Sequence, residues 1–120
     1  MFHDIIPDIV KWLPPKLGGV KVSASVPSTM PDSLVTLLRI GTWTYGTSTH
    51  TNVDRPVIRF TCWGKTRAKA MRLGSQVRNA IADIETDVFH VTHYEFSSIH
   101  ESVGADGEFQ CVIDCVLVVR

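Results

Sequence analysis

The amino-acid sequence predicts an α+β fold: a mixed, mostly antiparallel sheet of about five strands, packed by an N-terminal helix and one longer amphipathic helix. Two observations support this prediction. Within residues 55–84 the spacing of apolar side chains changes from two to about three and a half, which indicates a strand followed by a helix. Elsewhere, apolar stretches rich in β-branched residues are separated by segments rich in Gly, Pro, Ser and Thr, which is typical of further strands.

The predicted central strand and helix follow one another closely. Residues 57–63 form the strand, bounded by Pro56 and Gly64, and Thr66 is placed to cap the helix. The helical face that should be buried carries aliphatic and small side chains: Ala70, Leu73, Gly74, Val77, Ala80, Ile81 and Ile84. Because several of these side chains are small, we expect the helix to lie flat and close on the preceding strand.

The N-terminal segment predicts a short helix and a strand. Asp4 can cap a helix over residues 5–13, and Pro14 and Pro15 should end it because proline disfavours helical backbone in the residue before it. Residues 20–26 alternate between apolar and polar side chains, which predicts a strand with one face in solvent.

The remaining strands are predicted from apolar runs. Residues 34–40 are almost continuously apolar, which favours a strand inside the sheet. Residues 41–55 are predicted as a long hairpin loop and as the first candidate contact surface, with Trp43 and Tyr45 forming either a local apolar cluster or interface anchors.

The C-terminal third predicts two strands joined by a loop. We expect a strand over residues 88–96, a second flexible loop over residues 97–107 and a long final strand over residues 108–119. The final strand is mostly apolar on both sides, which suits a central position or one whose outer face meets another subunit.

Size and charge limit the possible functions. A chain of 120 residues is predicted to form a single domain, residues 1–120, with one core. Its 12 basic and 12 acidic side chains balance, which argues against a general electrostatic attraction to nucleic acid or a membrane and favours a protein partner. Three cysteines without a CxxC motif or a secretory leader predict a reducing compartment. No apolar segment approaches the roughly 20 residues of a membrane span.

The sequence offers no recognisable catalytic, cofactor-binding or metal-ligating set, so we predict that the protein is not an enzyme and needs no cofactor. His90 and His93 would face opposite sides of a strand. Cys62 lies inside an apolar strand, where a cysteine is usually a small core residue. The run from Gly64 to Thr66 lacks the earlier glycine of a phosphate-binding loop.

A basic cluster lies in and beside the central helix: Lys65, Arg67, Lys69, Arg72 and Arg78. These side chains could contact DNA phosphates, but the solvated side of an amphipathic helix explains them more simply. The residues predicted as interface candidates are polar or aromatic and lie in the two loops or on this helix: Trp43, Tyr45, His50, Arg55, Arg67, Arg72, His100 and Glu101.

Several segments occur in a characteristic order along nearly the whole chain. They are KWLPPKL, VKVSASVP, LVTLLRIG, DRPVIRFTCWGKTRAKAMRLGSQVRNAI and FQCVIDCVLVVR. In this order and spacing the sequence resembles the tail terminator, or tail completion, proteins of long-tailed bacteriophages that infect actinobacteria. The segment from Asp54 to Ile81 carries most of the resemblance, as a strand, a tryptophan-glycine turn and an Arg/Ala-rich helix.

The resemblance implies a small α+β protomer that assembles into a homohexameric ring. Such a ring would cap the head-proximal end of the tail tube, stop polymerisation of the tube protein and offer a docking face to the head connector or head completion protein. DNA would pass through its channel without sequence-specific binding. The protein would belong to the neck region of the virion and would be assembled in the host cytoplasm.

The sequence leaves two alternative functions open. Another head-to-tail joining protein of the same virus would also be a small, neutral protein that acts through its interfaces. A nucleic-acid binding module is less consistent with zero net charge and few exposed aromatic residues on strands.

Overall fold

Three helices and five strands make up the described part of the chain. The computed structural model describes residues 3–43, 53–104 and 107–120. In chain order the elements are α1 (Ile6–Lys16), β1 (Lys21–Ser23), β2 (Ser33–Thr42), β3 (Pro56–Gly64), α2 (Arg67–Ile81), α3 (Ile84–Asp87), β4 (Val91–Val103) and β5 (Phe109–Val119). The predicted α+β class is confirmed. None of these helices is long and apolar enough to cross a membrane.

The five strands form one mixed sheet in the order β1-β2-β3-β5-β4. Strand β1 runs parallel to β2, and every other neighbouring pair is antiparallel. Strand β5 lies between β3 and β4, which is the first of the two alternatives, a position inside the sheet or one that meets another subunit, that its two apolar sides suited. The sheet thus has the predicted mixed, mostly antiparallel pairing.

Strand β2 lies inside the sheet only over its first half. Because β1 is three residues long instead of the predicted seven, it covers β2 only at residues 34–36. Within the described residues the second half of β2, called its free half below, therefore has no strand partner on its outer edge, and Leu38 and Ile40 are 59% and 41% exposed. Strands β2 and β3 are antiparallel partners up to Thr42 and Pro56, so they form the predicted hairpin; most of its connecting loop lies outside the described residues.

Helix α2 packs on β3 and β5 as the sequence predicted. The Thr66 hydroxyl accepts a hydrogen bond from Lys69 N at 3.2 Å, which confirms the N-cap. All seven residues of the predicted apolar face are buried, although α2 ends at Ile81 and Ile84 belongs to the short helix α3. A Cβ atom at Gly74 would lie 2.5 Å from Cys111 Sγ, so only glycine permits this close approach to β5.

Helix α1 continues through the two prolines, contrary to the prediction that they end it. Proline has a φ angle suited to a helix, and the carbonyl of Pro14 accepts hydrogen bonds from Leu17 N and Gly19 N at 3.1 and 2.9 Å. The extra turn also lets Leu17 reach the core, where it is 5% exposed. Asp4 accepts a hydrogen bond from Ile6 N, but the N-cap position itself is Ile5.

The second predicted loop is largely strand. Strand β4 begins at Val91, after α3, and continues to Val103, so most of residues 97–107 pair with β5. The pairing shifts register between Phe96 and Ser98, and the residues beyond this bulge are mostly polar and exposed. The bulge interrupts the alternation of apolar and polar residues, which is why the pattern predicted a loop there.

Candidate interface: the helix-free face of the sheet

The helices lie on one face of the sheet. Residues from α1, α2 and α3 share a single apolar cluster with strand residues such as Leu37, Phe60 and Ile113. Successive residues of a strand point to opposite faces, and the intervening strand residues are missing from this cluster. The opposite face, called the open face below, therefore carries no helix of the described part of the chain.

The open face combines apolar and polar side chains. Its members, identified from the strand register, are Leu34, Thr36 and Leu38 of β2, Val57, Arg59, Thr61 and Trp63 of β3, Gln110, Val112, Asp114, Val116 and Val118 of β5, and His93, Glu95, Ser98, His100 and Ser102 of β4. The Trp63 indole N–H donates to the Thr36 hydroxyl at 3.1 Å. Val112, Val116 and Asp114 are buried within this face, and Leu38, at 59%, is its most exposed large apolar residue.

An ion pair lies at the centre of the open face. Arg59 donates to both carboxylate oxygens of Asp114, with Nε–Oδ1 and Nη2–Oδ2 distances of 2.8 and 3.0 Å. The two residues are register partners on β3 and β5, and Asp114 is only 6% exposed. The hydrogen bonds to Asp114 raise the pKa of Arg59, so the guanidinium stays charged. The two hydrogen bonds from the Arg59 guanidinium neutralise the buried Asp114 carboxylate, which leaves the centre of the open face without net charge.

A groove crosses one end of the open face. It is lined in part by Trp43, Arg55, Glu95 and Val116. Trp43 is 48% exposed, and its backbone N donates to the carbonyl of Arg55 at 2.8 Å. The structure thus brings two of the predicted interface residues together at this groove.

A second pair of predicted residues meets at the other end of the sheet. Arg67, the first residue of α2, donates from Nε to Glu101 Oε2 at 3.2 Å. Glu101 and His100 belong to β4 and not to a loop, which corrects the prediction; because neighbours on a strand face opposite ways, Glu101 points to the helix side and His100 to the open face. Arg72 is exposed on α2.

Two predicted interface residues, Tyr45 and His50, lie outside the described residues. The free half of β2 and the Arg59–Asp114 pair were missed by sequence reasoning. Each of the two apolar strands carries one charged residue near its middle, and the two charges have opposite signs. This signal could have revealed the pair.

The basic cluster beside α2 is partly neutralised by acidic partners. Lys65 Nζ lies 2.8 Å from Asp32 Oδ1, and Arg67 pairs with Glu101. These partners weaken the positive potential that a phosphate backbone would require.

The three cysteines are buried as thiols in the described structure. Burial raises the pKa of Cys62 and raises that of Cys115 to about 12. Since the thiolate is the reactive form, neither residue is prepared to act as a nucleophile at neutral pH.

No protein-family model matches this sequence, and a search of curated proteins finds no match.

Proposed function

We propose that this protein is a phage tail terminator that forms a homohexameric ring, caps the head-proximal end of the tail tube, stops tube polymerisation and provides the face on which the head docks. The observation that carries the proposal is the one-sided packing of the sheet, which leaves an open face and an exposed apolar edge on a small neutral domain. Together with the resemblance of the sequence, this favours a protein that works by forming interfaces.

A ring needs two different patches that fit each other, because each subunit meets the next one head to tail. The two edges of the sheet are suitable patches. One edge is β4, and the other is the free half of β2, with Leu38 and Ile40 exposed. In the proposed ring, the free half of β2 in one subunit pairs with β4 of the next, so that main-chain hydrogen bonds join the sheets.

The bulges of β4 restrict where this pairing can occur. The register of β4 shifts between Val91 and His93 and again between Phe96 and Ser98. Bulges twist an edge and interrupt its row of hydrogen-bonding groups. The uninterrupted stretch, residues 98–103, is therefore the proposed partner of β2, and it is one residue longer than the free half of β2 at residues 38–42. That half of β2 has its own register shift against β3, between Arg39 and Gly41, so the new pairing has to accommodate one irregularity.

Termination by such a ring needs no chemical step. One side of the ring would bind the last ring of the tail tube protein, while the other side would lack the surface that the next tube ring needs. Six copies binding together would make weak single contacts sufficient. The head completion protein would then dock on the opposite side, and DNA would pass through the channel without sequence-specific binding.

The oligomeric state tests this proposal. We expect native mass spectrometry of the full chain to give a hexamer, alone or after mixing with tube protein. Leu38→Lys with Ile40→Lys should abolish the hexamer while the far-ultraviolet circular dichroism is unchanged. Phe89→Lys, which alters an exposed apolar residue in the turn before β4 and outside both proposed pairing stretches, is the matched control.

Particles made without this product should carry over-long tails in electron micrographs. A monomer under all conditions, together with tails of normal length, would refute the proposal. Binding to the head connector alone, with normal tail length, would instead identify a different head-to-tail joining protein. A salt-dependent DNA gel shift at physiological ionic strength would favour a nucleic-acid binding module.

A further inference from the structure

Three potential metal ligands from distant parts of the sequence meet at one end of the molecule. His3 precedes α1, Asp8 lies in its first turn, and His90 lies between α3 and β4. His3 Nε2 is 2.7 Å from Asp8 Oδ2, and the His3 and His90 rings are stacked with their centroids 3.8 Å apart. One ligand atom from each of the three residues lies within 4.8 Å of the others.

The hydrogen bonding of His90 fixes its tautomer. Its Nδ1 lies 2.8 Å from the main-chain oxygen of Arg120, which accepts hydrogen bonds, so Nδ1 carries the hydrogen. In the neutral ring Nε2 then presents a lone pair. The backbone N of Arg120 donates in return to the carbonyl of His90 at 3.0 Å, which fastens this segment to the end of β5. Metal-binding histidines are commonly oriented in this way by a carbonyl on their second nitrogen.

The donor set has a clear chemical preference. Two imidazole nitrogens and one carboxylate oxygen are typical ligands of Zn²⁺, which takes a water molecule as its fourth ligand when the protein supplies three. All three side chains belong to partly exposed residues, so a hydrated ion can reach them.

We propose that His3, Asp8 and His90 bind one Zn²⁺ ion, with water as the fourth ligand. The His3–His90 stack must open for this, because a bound metal lies in the plane of each imidazole. His3 is the ring that moves, since it precedes the first helix, whereas His90 is held by Arg120. Binding would replace the hydrogen bond between His3 and Asp8 by two bonds to the metal.

Zinc would add a direct link between segments that already meet through the core, where Ile5 and Val88 belong to the same apolar cluster. The ion would fasten residues before α1 to the turn that leads into β4. Because the three ligands come together only in the folded chain, zinc should stabilise the native state over the unfolded one. This inference is independent of the proposed tail function.

The test is a titration of the full-length protein, free of any histidine tag, with ZnCl₂ at about neutral pH. We expect one ion per chain by calorimetry, and a rise in Tm of roughly 10 °C at about a hundredfold excess of zinc over its Kd. Co²⁺ in place of Zn²⁺ should give the visible absorption of a four-coordinate site.

Three variants and one control assign the ligands. His3→Ala, Asp8→Asn and His90→Ala should each weaken zinc binding at least about tenfold. His93→Ala, which removes another exposed histidine nearby in the sequence, should bind as the natural chain does. Asp8→Asn preserves the size of its side chain, so it reports on the ligand even if His90→Ala proves poorly folded. Absence of stoichiometric zinc binding would overturn the assignment, and so would equal binding by the natural chain and by Asp8→Asn. The three residues would then form only the His3–Asp8 ion pair and the His3–His90 ring stack.

Discussion

Two glycines determine how closely α2 approaches the sheet. At Gly64 a Cβ atom would lie 2.6 Å from the backbone nitrogen of Ala70, and at Gly74 it would lie 2.5 Å from Cys111 Sγ. Neither residue has a positive φ angle, so the requirement for glycine comes from space and not from backbone conformation. The sequence predicted a close helix from its small residues, but only the structure identifies the atoms that each glycine faces.

Gly74→Ala should destabilise the protein by about 1–2 kcal/mol. Crowding of the core costs about 1–3 kcal/mol, and the gain in helix propensity of about 1 kcal/mol offsets only part of that cost. Urea denaturation measures the change. Adding Cys111→Ala should recover part of the loss, because it removes the Sγ atom in the way. Ser75→Ala, on the exposed side of α2, is the control and should change the free energy of unfolding only slightly. An equally small effect of Gly74→Ala would contradict the predicted crowding.

The buried thiols should be unreactive. They should also make the free energy of unfolding fall at alkaline pH. Burial raises the pKa of Cys115 to about 12, above the value of about 8.5 for an unfolded cysteine. The contribution of the protonated Cys115 thiol to the free energy of unfolding is therefore complete below about pH 8.5. It is lost as the pH rises toward the pKa that this thiol has in the folded state. A thiol reagent at about pH 8 should label Cys62 and Cys115 only after denaturant is added. Rapid labelling of the native chain would show that the sites open.

At the scale of single elements, α2 begins with a cap that opposes unfavourable charges. The first turn contains Arg67 and Lys69 and no acidic residue, which is the wrong sign for the positive end of the helix dipole. The Thr66 hydroxyl accepts the amide hydrogen of Lys69 there. The cap thus does more for this helix than it would for one with an acidic first turn.

Thr66→Ala should lower the free energy of unfolding by about 1 kcal/mol, because it removes the acceptor for the amide of Lys69. Thr66→Ser should keep most of the stability, and Thr66→Asp should be at least as stable as the natural chain, since a carboxylate also compensates the positive first turn. Thermal unfolding of the three variants checks the order. A less stable Asp variant would mean that the dipole is already screened.

The prediction failed at elements whose shape depends on their partners. Helix α1 continues past Pro14 because Leu17 gains a place in the core, and β4 continues past Ser97 because β5 pairs with it. Local preferences favoured a helix end in the first case and a loop in the second. Tertiary burial and strand pairing outweighed both preferences.

At the scale of the whole molecule, one apolar cluster joins α1, the sheet, α2 and α3. Since no part of the described chain has a separate core, we expect a single cooperative unfolding transition. Variants that retain only Trp12, on α1, or only Trp63, on β3, allow the two regions to be followed by fluorescence. Their midpoints should coincide with each other and with that of circular dichroism; an earlier transition at Trp12 would show that α1 unfolds separately.

The candidate interface was only partly predicted, because its residues come together only in the folded sheet. Trp43 and Arg55 meet at a groove, and Arg67 pairs with Glu101, so four of the predicted residues form two real groupings. They lie at opposite ends of the sheet and not in one patch. The apolar edge at Leu38 was not predicted, because the sequence pattern assigned this run to the sheet interior.

The sequence by itself determined the fold class and the apolar face and cap of α2. These features depend on periodicity and on hydrogen bonds between near neighbours. Only the tertiary structure decided that β1 is too short to cover β2, that the helices share one face of the sheet, and that His3, Asp8 and His90 meet. Such features depend on contacts between residues far apart in the chain, and no local pattern encodes those contacts.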